Sequence, residues 1–318
     1  MTASQHGLPA ASGDRTASLA PGRLYLRRFL ARPVAVASLA VLVLLVLAAA
    51  AAPLAEAWLG VDANRVDLLG RHAPPSADHP LGTDELGRDL LVRLLYAGRI
   101  SLTVGLVAAL AAALIGTAVG LVSGFAGGRL DALLMRVTDG FIALPLLPLL
   151  IVLAAVDPVR LGVPGDLART EAAGLWRIVV LVALTGWTTV ARLVRGATLA
   201  VRGRDYVRAA VALGAGRARL VLVHVLPNVA SPIVVATTLS VGHVILAESV
   251  LSFLGLGIQP PVPSWGNMLT NAQELVWSAP RQAVLPGLLI FVTVIAFNLL
   301  GDGLQDALDP RSGTGGRR

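Results

Sequence analysis

The sequence predicts an all-α, polytopic membrane protein with about six transmembrane helices and one charged helical loop between two of them. Three observations predict it. Of 318 residues, 55% are apolar and only 14% charged, whereas a soluble domain has about a quarter of its residues charged. The mean hydropathy is +0.75, and apolar runs recur along the chain at the length, about 20 residues, that crosses a hydrocarbon core of about 30 Å. All 26 basic residues are arginine, and they gather in alternate connections, the bias that orients membrane proteins with basic loops inside.

The tail Met1–Pro21 is rich in Gly, Ser, Ala and Arg and is expected to be disordered, as is Ser312–Arg318. The first uncharged run lies between Arg32 and Glu56, centred on Val41–Ala52. Its alanine-rich end, Ala52–Ala57, also suits a signal peptidase. The long basic segment before it, and a core longer than about 15 residues, favour a span over a cleaved signal. From Thr83 to Tyr96 the pattern predicts an interfacial helix. Thr83 would be the N-cap, Asp84 and Glu85 would fill the first turn, and Leu86, Leu90, Leu91, Leu94 and Leu95 would form a stripe.

Span two lies between Arg99 and Arg129 and carries Gly116, Gly120, Gly124 and Gly128, each four apart, after Gly105 and Ala109. That spacing puts small residues on one face for close helix packing, within the chain or against a partner. Span three runs from near Leu134 to Val156, with Asp139 near its start, and Pro145 and Pro148 should kink it. Asp157–Ala173 reads as a flexible excursion. Span four is charge-free only from Arg177 to Arg192 and reaches full length if both arginines snorkel. Spans five and six run about Ala230–Leu251 and Ala283–Leu300.

Arginine fixes the expected orientation. Seventeen arginines fall on the side of the two tails and nine on the other, so both termini should be cytoplasmic. The expected organisation is a cytoplasmic tail at 1–32, a transmembrane region at 33–301 with a loop at about 199–228, and a second cytoplasmic tail at 302–318. The net charge of +7 then reflects membrane orientation rather than a nucleic-acid partner. The absence of cysteine excludes disulfides, zinc–thiolate sites and thiol catalysis. The absence of lysine excludes a P-loop, whose lysine holds the β- and γ-phosphates. No zincin helix or G-x-S-x-G is present, so no catalytic site is expected. His72 and His79 make a poor metal pair and His224 and His243 stand alone, so no metal or cofactor is expected either.

Leu199–Leu226 is too long for a tight turn and too charged to span. Asp205 can cap a helix through Tyr206, Val207, Ala209, Ala210 and Leu213, which Gly214 and Gly216 break; a second apolar run, Leu220–Leu226, leads to Pro227 and Asn228. A helix–glycine turn–helix with one apolar and one arginine face suits docking of a soluble partner. Its anchorage between two spans argues against a DNA-binding helix-turn-helix.

This stretch resembles the cytoplasmic EAA loop of binding-protein-dependent ABC importer permeases. Arg208-Ala209-Ala210, three residues, Gly214 and then Leu226-Pro227-Asn228 follow that pattern, with Arg208 where the family has glutamate. Three further blocks resemble the C-type permease of the peptide/nickel group. They are His79–Asp89 with Arg93-Leu94-Leu95-Tyr96 and Arg99–Leu102; Leu251–Gly257 with Pro260-Pro261 and Pro263–Gly266; and Asn298–Asp302 with Leu308–Arg311. The resemblance covers about Arg28 to Arg311. It implies a type I ABC importer permease in a bacterial plasma membrane, importing dipeptides or oligopeptides, with nickel or another small solute as the alternative. It further implies a second homologous permease subunit, two cytoplasmic ATPase subunits that bind the ATP, and an extracytoplasmic solute-binding protein. Tyr206, Arg208, Ala209, Ala210, Leu213, Gly214, Leu226 and Pro227 would form the ATPase-coupling loop.

Charges in or near spans are costly and often functional. Glu248, near the outer end of span five, is the candidate pathway residue, and Asp139 a weaker one. The runner-up reading is an ion-driven secondary transporter, which would need ionisable groups or broken helices near the midplane; both carboxylates read as peripheral.

Overall fold

The computed structural model describes residues 21–168 and 170–308. Most of both predicted disordered tails, with Asp309-Pro310-Arg311 of the closing block, lies outside the described residues. Among those described, the regular structure is helical, and the one β-bridge joins Thr83 to Asp89.

α1 (Pro21–Leu30) turns at Ala31–Arg32 into α2 (Pro33–Ala50), whose first residue is a proline that needs no N–H partner there. α3 (Ala52–Leu59) follows after a one-residue break and ends on Gly60 in the left-handed conformation (φ +66°). α2 leaves most of its surface exposed: Leu44 is 66% and Leu47 61% exposed. Its inner contact is with the last helix, α13 (Pro280–Leu308), where Phe29, Ala35 and Ala307 form a small core and Arg32 pairs with Asp306. α13 thus runs past residue 301, where a cytoplasmic tail was expected.

α4 (Leu90–Ala126) has 37 residues, about 55 Å of helix. The interfacial helix expected from Thr83 does not form. Gly82 (φ +81°) and Gly87 (φ +76°) turn the chain instead, and Asp89, not Thr83, caps the helix by accepting from Val92 N at 2.8 Å. Thr83 bonds Gly70 O and accepts from Ala73 N, stitching the connection together. Leu90, Leu94 and Ala97 are the first turns of span two itself, buried against Trp265.

α8 (Glu171–Arg202) is capped by Thr170, which accepts from Ala173 N at 3.1 Å, and lies against α4 along most of its length. A Cβ at Gly116 would stand 2.5 Å from Trp187 O, one at Gly120 2.6 Å from Ala191 O, and one at Gly124 2.7 Å from Thr198 Cβ. The glycine stripe therefore packs within the chain. Gly128 does not belong to it: it opens α5 (Gly128–Ala143) at φ +60°, facing open space.

Span three is broken rather than kinked. α5 and α6 (Leu146–Ala155) meet at 87° around Leu144–Pro145. Pro145 and Pro148 supply no N–H, so the Phe141 and Leu144 carbonyls lose their donors at four-residue spacing. α5 also starts six residues before Leu134. α7 (Gly165–Ala168) interrupts the connection that read as a plain excursion.

The predicted loop at 199–228 is narrower than expected, because its ends belong to helices. It consists of α9 (Asp205–Ala212), α10 (Arg217–Arg219) and a π-helical stretch, Leu220–Val225, that runs into α11 (Leu226–Phe253). α12 (Ala272–Ser278) precedes α13. Among the described residues, five helices are long and apolar enough to cross a membrane, giving six spans if α5 and α6 form one. Two cores stack along the bundle. One joins Val104, Ala108, Leu150, Ile178, Val182, Ile245 and Leu251 of α4, α6, α8 and α11. The other, towards the arginine-rich end, joins Val190, Val194 and Val201 to Val207, Leu220 and Val225.

Candidate functional site

The α8–α11 connection is built to be rigid. Asp205 is the first residue of α9 rather than its cap, which is Arg204, without a side-chain bond. The end of α9 is a Schellman closure: Gly214 N bonds Val211 O at 2.9 Å and Ala215 N bonds Ala210 O at 3.0 Å. Gly214 sits at φ +82°, where a Cβ would be strained. Gly216 is not left-handed but leads into α10. Pro227 stands in the first turn of α11, where no N–H is missed.

Two faces follow. Val207 (2% exposed) and Val225 (0%) anchor the unit in the core it shares with α8. Ala210 and Leu226 are half-buried behind them. Outward point Tyr206, Val211 and Leu213, the last 88% exposed, with Ala209, Pro227 and Arg208. Arg208 reaches Asp205 only at 4.0 Å with a largely exposed side chain. Beside the unit lies a cavity of about 850 Å³ lined by Phe125, Arg202, Val207, Arg208, Val211 and Arg217, among others. An exposed leucine, tyrosine and arginine stand together on a preset turn, and large apolar side chains left bare on such an element are the ones that would gain most from a partner. The structure thus brings the eight predicted loop residues together on one unit.

Glu248 lies apart from them, in the C-terminal half of α11. It is 0% exposed. Ser252 Oγ donates to it at 2.7 Å and Ser101 Oγ at 3.1 Å. The same serines accept from the following loop, Ser252 Oγ from Ile258 N at 3.0 Å and Ser101 Oγ from Trp265 N at 3.2 Å. Trp265 is itself buried on Gly98 and donates its indole N–H to Leu94 O at 3.1 Å. In this conformation Glu248 ties a loop onto α4 and α11 and faces no opening.

The sequence did not point to Asp84 as an organiser. Its carboxylate accepts from Leu86 N (2.8 Å), Arg88 N (2.9 Å) and Arg88 Nε (2.7 Å), and Arg93 Nε lies 3.4 Å away. His79 bonds the buried Asp89 at 2.9 Å, while Gln282 bonds His72 and Thr83 O. The two histidines thus serve the loop fold separately. That Asp139 could pair with an arginine was legible, but the partners of the ion pairs along α5 were not. Arg195 forks onto Asp131 with two 2.6 Å bonds, and Arg192 meets Asp139 at 2.5 Å. The only signal was charges of both signs near the ends of two apolar runs.

Residues 116–313 match the family described as binding-protein-dependent transport system inner membrane component, and residues 20–75 match the N-terminal transmembrane domain of oligopeptide transport permease C. The chain is 39% identical to the oligopeptide transport system permease protein OppC of Bacillus subtilis (strain 168), over 89% of this chain and 88% of the relative. It is 42% identical to the dipeptide transport system permease protein DppC of the same organism, over 78% and 73%. It is 37% identical to the nickel transport system permease protein NikC of Escherichia coli (strain K12), over 85% and 92%.

Proposed function

This chain belongs to the family of binding-protein-dependent transport system inner membrane components, a permease subunit of an ATP-driven importer, and we propose that its cargo is dipeptides or oligopeptides. Two of the relatives are named for such peptides. Nickel is the second reading, because a relative of similar coverage is named for it.

The observation that carries the mechanism is the rigid α9–α10 unit, clamped between α8 and α11 with Tyr206, Arg208 and Leu213 presented outward. Without a lysine this sequence holds no P-loop, and our reading assigns the motor to separate ATPase subunits. Our reading places the unit and both termini in the cytoplasm, on the weight of arginine at that end. Two ATPase subunits, a second homologous permease and an extracytoplasmic solute-binding protein complete the assembly. ATP closes the ATPase pair; the pair moves Arg204–Leu226; and α8 and α11, continuous with that unit, shift between inward-open and outward-open states. The nucleotide changes the populations because it binds one state better. Arg208, in place of the family's glutamate, reverses the charge at the docking surface and calls for an acidic counterpart on the ATPase. The broken span three is a feature that ion-driven carriers also use.

Co-expression with the neighbouring subunits tests this. We expect co-purification with the ATPase, hydrolysis that rises with loaded binding protein, and uptake into proteoliposomes only when ATP and binding protein are both present. Gradient-driven uptake by this chain alone would overturn it. Titrating the binding protein with a peptide library and with nickel side by side decides the cargo.

A further inference from the structure

We infer that the Asp139–Arg192 ion pair at the break in span three lines the translocation pathway and takes the charged ends of a passing peptide, Arg192 the carboxylate and Asp139 the ammonium group; this rests on the peptide reading above.

Depth comes first. Arg177 and Arg192 lie on one continuous helix, separated by about 22 Å of rise. A hydrocarbon layer of about 30 Å exceeds that separation, so the two arginines cannot both stand at its boundaries. The Arg192 guanidinium does not snorkel along α8; it turns sideways to Asp139 on α5, at 2.5 Å. Yet the pair is not enclosed by this chain, since the two side chains are 50% and 55% exposed. Charges at membrane depth face a bundle interior or water, not lipid.

A second observation, independent of charge, points the same way. Residues 139–148 are all exposed, and they include the 87° break at Leu144–Pro145. Non-helical backbone at membrane depth persists only inside protein or beside a water-filled cavity, because lipid cannot satisfy its carbonyls. The exposed side chains here include the apolar Phe141, Ile142, Leu144, Leu146 and Leu147, so it is the interrupted helix and the exposed ion pair that require something polar beside this face. The neighbouring pair behaves differently: Asp131 is held by a two-pronged Arg195 and by Ser123, at 15% exposure, and serves as a fixed strut.

The chemistry suits a zwitterion. At rest the two side chains neutralise each other, so an empty pathway holds no bare charge. A peptide with free termini brings one carboxylate and one ammonium group. It can replace one ion pair by two without leaving a charge unpaired, and guanidinium and carboxylate match in planar, two-pronged geometry. A bare metal cation would find only one of the two groups useful.

The test uses the complete transporter in proteoliposomes, with tri-alanine and C-terminally amidated tri-alanine presented on binding protein loaded to equal occupancy. Wild type should move the free peptide at least tenfold faster than the amide. Arg192→Gln should lower free-peptide uptake at least tenfold and bring the ratio to about one. The double variant Arg192→Gln/Asp139→Asn, which restores neutrality, should stay equally slow. Co-purification of the subunits checks that both variants assemble. Recovery of uptake in the double variant would reduce the pair to a structural tie and overturn the inference, leaving the peptide reading intact. Failure of wild type to move either peptide would overturn both. A second readout exploits the absence of cysteine. Gly140→Cys and Leu147→Cys should react with a charged methanethiosulfonate at least tenfold faster than Leu44→Cys on the lipid face of α2. Equal, slow labelling at all three places the break in lipid or under a partner and overturns the pathway assignment.

Discussion

The α4–α8 interface and the α9–α10 unit are joined end to end, yet they solve opposite problems. At the interface, backbones meet over Gly116, Gly120 and Gly124, and Val190 and Val194 are fully buried. In the α9–α10 unit only Val207 and a few neighbours are inside, while Leu213, Val211 and Tyr206 stand in the open. The difference separates what the chain completes alone from what, on our proposal, it leaves for the ATPase. Along the Gly116–Gly124 stretch of α4 the gap to α8 is filled from within. At the loop, backbone geometry is just as fixed, by the Gly214 closure, but the side chains lack a counterpart. Stiffness without burial is what a transmitting element needs: it passes a push on without absorbing it.

Substitutions can break this contrast. Gly120→Leu should do the most damage. Its Cβ would stand 2.6 Å from a backbone oxygen of α8, which no rotamer can relieve, so the helices must separate and folded protein in detergent should be nearly lost. Trp265→Ala comes next. It empties a 2%-exposed site and removes the indole bond to the Leu94 carbonyl, at a cost of about 3–5 kcal/mol, readable as reduced resistance to denaturant in micelles. Leu213→Asp sharpens the contrast from the other side. Because Leu213 is 88% exposed, stability should change by less than about 0.5 kcal/mol, while ATP-driven uptake falls at least tenfold. Gly196→Ala should be the mildest: nothing lies within 4 Å of the added Cβ, so stability should rise by up to about 1 kcal/mol, and a thermal melt in detergent checks it.

Local features were legible in sequence and remote ones were not. Apolar runs placed five helices, because length and hydropathy are properties of a segment. The Gly214 turn was legible because only a left-handed residue ends α9 so abruptly. The four-residue glycine spacing announced a packed face but not its partner, which proved to be α8. Thr83 misled because its cap pattern is sound by itself; the deciding facts are the turns at Gly82 and Gly87 and the competing cap Asp89. Pro145 and Pro148 announced a bend but not its size, which depends on where α6 finds a core, with Leu150 and Ala154 buried against α8 and α11. Glu248 read as a charge near the end of its span. Its enclosure was invisible because Ser101 and the Trp265 loop come from distant parts of the chain.

The central claim is that the bare face of the α9–α10 unit is gripped by a separate motor. Photo-crosslinking tests it most directly, with p-benzoylphenylalanine at position 213 and, as control, at position 69, where Leu69 is fully exposed in the connection before α4. In the assembled transporter the probe at 213 should capture the ATPase subunit in high yield, and more in one nucleotide state than the other, while the probe at 69 captures none. A probe at 213 that captures only lipid or the solute-binding protein would contradict the account.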